Sequence, residues 1–391
     1  MFHRIIAIGA IICLFLQTFC SLSAASPCDN LNIQLADFAL RMIREGGEKS
    51  SAIISPSSSA IALAMLYVGA MNETKEEIRR AIVNGCDDNT IINYYSDIMH
   101  ISQQPTTYTL NLANRIYTEK SLVLQKKFVE IMQEKFEGEI YTMDSDKPSE
   151  TAKKINQWLR NKTNNKIDKL IDEQNPDLSD ILIINAIYFN GSWQYPFKTS
   201  STIKEKFFPE ENQRIMVDMM RTVEFLPFAE DENVKVIGLP YKNEEISLYI
   251  FLPKVKFGLH EIEHTLDGSK LLALAKSCRK FGRVEVRIPK FTIKMNFPMK
   301  NALQKMGIRR AFSMTAANFS GICARPTHIR NFVHKALIEV NEGGTQAAAV
   351  SAIEMVFKSN RPIKRQFIAN HPFLFALIKN ETILFIGHFL K

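Results

Sequence analysis

Residues 338–365 read IEVNEGGTQAAAVSAIEMVFKSNRPIKR. The opening alternates apolar and polar side chains, as a strand does. After Glu342 comes a run of small residues, Gly343-Gly344-Thr345-Gln346-Ala347-Ala348-Ala349, which makes neither a good helix nor a core strand. Lys358, Arg361, Lys364 and Arg365 then give a basic, polar end. Taken alone, the small-residue run reads as a linker. Alternate residues of a strand face opposite sides. If Thr345 points inward, so do Ala347, Ala349 and Ser351, and all are small. No proline or charge lies between Gly343 and Ala352. A proline would remove a ladder donor, and a buried charge would cost several kcal/mol.

Upstream of this stretch the chain divides by character. Residues 29–46 have helical apolar spacing through Leu35, Phe38 and Met42. In SAIISPSSSAIALAMLYVGA a short strand precedes a buried helix, with Ser55 as N-cap and Pro56 in the first turn. NETKEEIRRAIV places acids early and arginines late, which suits a helix dipole. KKFVEIMQEKF and SETAKKINQWLRNKT are helices, and YTLNLANRIYTE is a strand. After Asp177, ILIINAIYFNGSW, VKVIGLPY, EISLYIFLPK, RVEVRIPKFTIKM and HKALIEVNE read as strands, rich in β-branched and aromatic residues. The tail HPFLFALIKNETILFIGHFLK reads as a buried hairpin. The expectation is one α+β domain built on a large sheet.

At the N-terminus, Arg4 precedes an apolar run from Ile5 to Phe19, and Ser23-Ala24-Ala25 offers small residues for cleavage. The run is shorter than the ~20 residues a membrane span needs. Residues 1–25 are therefore expected to be a signal peptide and 26–391 the mature domain, secreted and extracellular, with no membrane partner. The mature chain keeps Cys28, Cys86, Cys278 and Cys323, which allow zero to two disulfides. Sequons stand at Asn72, Asn161, Asn190, Asn318 and Asn380. Asn72, Asn161 and Asn318 lie in the more polar surroundings. The net charge of +8 is scattered, so no nucleic-acid partner is expected. No metal site or cofactor is read. No nucleophile elbow, H-E-x-x-H motif, phosphate-binding glycine loop or paired Cys/His signature is read. His334 reads as a hydrogen-bonded core histidine, and the protein is not expected to be an enzyme.

The strand and helix segments, in order, resemble one family. SPSSSAIALAMLYVGAMNETKEEI, INQWLRNKTNNKIDKLI, INAIYFNGSWQYPF, GLPYKNEEISLYIFLPK, HKALIEVNEGGTQAAA and the closing HPFLFALIKNETILFIGHFLK are together similar to the serpins, inhibitors of serine proteases that insert a cleaved loop into their own sheet. The resemblance runs from Leu31 to Lys391. It implies a large mixed central sheet, further sheets, about nine helices and an exposed reactive-centre loop over about 342–365. Glu342 becomes the hinge base and Thr345 the first inserting side chain. The small-residue run resembles the hinge of inhibitory members. Counting sixteen positions on from Glu342, the spacing the resemblance implies, gives Lys358 followed by Ser359 as the reactive bond. Phe357 is the rival scissile residue. Lys364-Arg365 lies too far from the hinge. The resemblance further implies that Ser55, Ser58, Asn185 and His334 lie where the sheet parts, with Trp193 and Lys290 where insertion begins and Lys290 near Glu342. The partner implied is a target serine protease, held covalently by a monomeric inhibitor. A secreted carrier on the same fold is the alternative. Members activated by polyanions carry a basic helix near residues 87–102. No Lys or Arg stands there in this chain, so no polyanion is expected to act through that helix.

Overall fold

The computed structural model describes residues 28, 30–47, 50–101, 108–176, 178, 180–344 and 365–391. The expected signal peptide (1–25), residues 345–349 of the hinge, and Phe357, Lys358 and Ser359 lie outside the described residues. Among those described, nine α-helices form. They are α1 (Leu31–Gly46), α2 (Pro56–Gly69), α3 (Asn72–Ile82), α4 (Asp88–Ile101), α5 (Lys126–Lys135), α6 (Pro148–Lys162), α7 (Leu259–Thr265), α8 (Gly268–Ser277) and α9 (Met299–Lys305). The first strands are β1 (Ala52–Ile54), β2 (Thr109–Glu119), β3 (Ile140–Met143), β4 (Ile181–Asn190), β5 (Ile203–Glu210), β6 (Gln213–Glu224), β7 (Phe228–Glu230) and β8 (Val234–Pro240). The rest are β9 (Ile246–Pro253), β10 (Val284–Pro289), β11 (Phe291–Phe297), β12 (Ile329–Val340), β13 (Arg365–Ile368), β14 (Phe373–Lys379) and β15 (Thr382–Phe389).

Three sheets result, ordered β11-β12-β4-β2-β3, β13-β10-β6-β5 and β1-β15-β14-β9-β8-β7. The five-stranded sheet is mixed. Its β12 and β4 run parallel, with Asn185 directly opposite His334, while β4 and β2 run antiparallel. Local chemistry explains much of this. Ser55 caps α2 by accepting from Ser58 N at 3.2 Å, Pro56 opens its first turn, and the helix is buried nearly all round beneath this sheet. The β14–β15 hairpin turns on Asn380 and Glu381, both at positive φ, as a two-residue turn between right-twisted strands requires. The β5–β6 hairpin and the short helices α7 to α9 were not foreseen in the strand-rich half; their brief apolar runs carry little periodicity.

The cysteines divide. Cys28 and Cys86 form a disulfide that ties the chain before α1 to the segment between α3 and α4. Cys278 and Cys323 are free and buried. Burial pushes the Cys278 thiol up to about 12, so it stays an unreactive thiol. The sequon asparagines Asn72, Asn161 and Asn380 are exposed, whereas Asn190 and Asn318 are partly covered. Asn318 Oδ1 already accepts from Ser320 Oγ at 2.8 Å, so its surroundings are less open than the sequence implies. Among the described residues, no helix is long and apolar enough to cross a membrane.

Candidate functional site: a parallel seam and its entrance

The joint between β4 and β12 carries the chemistry. His334 is fully buried on the face of β12 that meets α2. Its Nδ1 meets Asn185 Oδ1, and its Nε2 accepts from Ser55 N at 3.2 Å. An amide oxygen can only accept, so the ring is the Nδ1–H tautomer. Desolvation by burial pushes its pKa down to about 3, and the ring stays neutral at pH 7. Asn185 Nδ2 donates to Ser58 Oγ at 2.7 Å and to Asn114 Oδ1 at 2.6 Å, and Ser58 Oγ donates to Asn114 Oδ1 at 2.8 Å. Ser55, Ser58, Asn185 and His334 thus meet in one polar knot inside an apolar core. Asn114 is a member that sequence reasoning missed. Its signal was available: Leu110, Leu112, Asn114 and Ile116 occupy alternate positions of β2, and only Asn114 is polar.

A second group sits where β12 ends. Trp193 is buried, and its Nε1 donates to Asn341 O at 2.8 Å. Trp193 N donates to Gly343 O at 3.0 Å, and Phe197 N to Glu342 O at 2.9 Å. The Glu342 carboxylate takes Lys290 Nζ at 3.0 Å and Thr202 Oγ1 at 2.9 Å. Burial pushes that carboxyl up, but its hydrogen bonds, those from Lys290 and Thr202 among them, leave it below the usual range. Thr202 was not foreseen. Gly344 stands at φ +141°, and a Cβ there would lie 2.0 Å from Gly191 O, so only glycine fits. The chain therefore leaves β12 pinned against the 191–197 segment that follows β4, at the mouth of the β4–β12 joint.

On the opposite face, the connector from α6 to β4 crosses this joint. Lys335 Nζ donates to Lys169 O at 2.6 Å, Lys166 Nζ lies 3.4 Å from Glu339 Oε2, and Lys294 Nζ lies 3.3 Å from Asp168 Oδ1. Lys335 is the most buried of these cations, and burial pulls its pKa down. A hydrogen bond to a charged group contributes roughly 1.5–3 kcal/mol. Lys335→Met, which keeps the stem and removes the donor, should therefore speed amide exchange over residues 163–172 by roughly tenfold. Unchanged protection there would show that the tether holds nothing.

Arg365 opens β13 opposite Val284, and its guanidinium lies over the rings of Phe228 and Phe281 at 5.7 and 5.9 Å. A protease could reach a bond at this position only by peeling β13 away.

One motif escaped the sequence reading. His260-Glu261-Ile262-Glu263-His264 on α7 matches H-E-x-x-H. The metalloprotease reading of that motif needs a third protein ligand and a free glutamate. Among the described residues no group of three or more candidate ligands forms. The motif's own glutamate, Glu261, is exposed, while Glu263 between the histidines is turned inward, with His388 Nδ1 at 2.7 Å from its carboxylate.

A family model described as Serpin (serine protease inhibitor) matches residues 33–391. The chain belongs to the serpin family. This serpin is 32% identical to human Serpin B9 over 363 residues, which covers 90% of this chain and 96% of that one. Its fold matches the thermophilic serpin tengpin in the native state with a TM-score of 0.83 at 28% identity, covering 92% of this chain and 94% of the other. Human thyroxine-binding globulin, solved with its bound ligand, matches with a TM-score of 0.83 at 26% identity, covering 93% and 99%. Serpins thus include carriers as well as inhibitors, and the nine helices and three sheets are those of the family fold.

Proposed function

We propose that this serpin is a secreted, glycosylated, monomeric inhibitor of trypsin-like serine proteases, spent in a single turnover. The observation that carries the reading is the parallel β4–β12 joint at the point where the chain leaves β12. A segment that reverses after Gly344 and enters the joint runs antiparallel to both neighbours. One parallel ladder becomes two antiparallel ones, which are slightly more stable per residue. The residues that would enter, from Thr345 onward, are uncharged as far as Ala352, and those on the inward face, Thr345, Ala347, Ala349 and Ser351, are small.

The protease serine attacks the carbonyl carbon of Lys358. The Lys358–Ser359 bond breaks, the new amino terminus at Ser359 takes a proton and leaves, and an acyl-enzyme remains. The lysine ammonium suits the acidic specificity pocket of a trypsin-like enzyme. The severed segment enters the joint and carries the acylated protease with it before water can attack. The driving force is a native fold kept by a kinetic barrier. Serpin loop insertion is an established instance of strand addition.

The test mixes the secreted protein with trypsin-like and chymotrypsin-like proteases and denatures the mixture in detergent. A covalent band at the summed mass is expected with the trypsin-like enzyme, with the new amino terminus at Ser359. Lys358→Ala should remove that band. A band only with chymotrypsin-like enzymes would move the reactive bond to Phe357. Cleavage by every enzyme with no band would end the inhibitor reading. The second reading, a carrier, would then lead, supported by the likeness to thyroxine-binding globulin.

A further inference from the structure

His260 and His264 stand one turn apart on α7, both exposed, with ring centroids 4.3 Å apart at an interplanar angle of 64°. Side chains at i and i+4 share a helix face. The inner side of α7 is fixed independently. Leu259 and Ile262 are buried, Glu263 holds His388, and Arg44 Nη1 donates to Glu263 O at 3.3 Å. The direction in which the two imidazoles point is therefore set by the core. Neither ring has a hydrogen-bond partner among the described residues, so both keep ring nitrogens free for a ligand.

We propose that His260 and His264 form a chelating site for a divalent transition-metal ion of the copper and zinc class. Imidazole nitrogen suits Cu2+, Zn2+ and Ni2+, whereas Ca2+ and Mg2+ prefer oxygen. Two protein ligands leave the remaining positions to water, so the site binds more weakly than a closed structural zinc centre. Among the described residues no third protein ligand joins the pair, so the pair is assigned metal binding alone, without hydrolytic chemistry. The chelating geometry exists only while α7 is helical. Metal binding therefore favours the folded chain by mass action. The site sits on the side of the six-stranded sheet, away from the β4–β12 joint, and does not depend on the inhibitor reading.

The experiment titrates the full-length secreted protein with CuCl2, and separately with NiCl2 and ZnCl2, by calorimetry, with thermal melts in parallel. One equivalent of Cu2+ is expected to bind, more tightly than Ni2+ or Zn2+ in keeping with the general order of divalent affinities, and to raise the melting temperature. His260→Asn and His264→Asn should each weaken that equivalent about tenfold or more. Both side chains are exposed, so both variants should fold, as circular dichroism would check. A third variant carries His264→Thr with Thr265→His. It keeps the number of histidines and breaks the spacing, and it should bind as weakly as the single variants. Absence of saturable Cu2+ binding in the wild type would overturn the proposal. So would wild-type affinity in either asparagine variant, or full affinity in the spacing swap.

Discussion

Thr345→Arg should convert the protein from an inhibitor into a substrate. In the proposed reaction, insertion of the cleaved segment races against hydrolysis of the acyl-enzyme. In that reaction Thr345 would be the first side chain to enter the joint between β4 and β12, and a guanidinium there would have to be desolvated as the strands close. An unpaired buried charge costs several kcal/mol, and even about 1.4 kcal/mol on the insertion barrier slows it tenfold. The race should therefore shift toward hydrolysis by on the order of a hundredfold. Cleavage at Lys358 should persist while the detergent-stable band disappears, with the number of inhibitor molecules consumed per protease rising steeply. Thr345→Ser, equally small, should trap normally. An arginine variant with undiminished band would show that Thr345 never enters the sheet.

Asn185→Ala should have the largest effect on the resting molecule. Asn185 joins β4 to β12 through His334 and to α2 and β2 through Ser58 and Asn114. Its loss orphans the buried His334 Nδ1–H and removes one bond each from Ser58 Oγ and Asn114 Oδ1, which still bond each other. The orphaned donor costs about 1–3 kcal/mol and each of the two other lost bonds about 0.5–1.5 kcal/mol, so a loss of roughly 2–6 kcal/mol is expected. That is a large share of the 5–15 kcal/mol typical of a domain. A urea midpoint unchanged from wild type would show that the knot is not a fastening.

The same knot should make the protein acid-sensitive. His334 is neutral in the fold down to about pH 3, whereas an unfolded histidine takes a proton near 6.5. Between those values the unfolded chain binds more protons than the native one, so stability is present above about pH 6.5 and is lost as pH falls toward 3. One such group gives at most about 1.4 kcal/mol per pH unit. Burial also lowers the pKa of His371, which adds loss of the same sign. Urea midpoints from pH 7 to 4 should fall less steeply in His334→Gln than in wild type. Parallel slopes would assign the acid sensitivity elsewhere.

Where the chemistry is local, the sequence by itself determined the outcome. Ser55-Pro56 starts α2 because a hydroxyl cap and a fixed φ act within one turn. The apolar runs around Asn380-Glu381 make a hairpin because its partners are adjacent in the chain. The order of such segments was enough to identify the family fold, and the small, uncharged run after Glu342 was plain in the letters. The tertiary structure alone decided which distant groups meet. Four cysteines left the pairing open until packing brought Cys28 and Cys86 together across 58 residues. Asn114 is unremarkable in YTLNLANRIYTE and becomes the floor of the knot only when β2 pairs with β4 in one register. The tethers of Lys166, Asp168 and Lys169, and Thr202 beside Glu342, follow from a connector and a loop whose paths no propensity fixes. These contacts depend on how strands align and which faces the apolar clusters bury. That alignment is set by the cooperative packing of the whole core, a long-range quantity that no window of sequence contains.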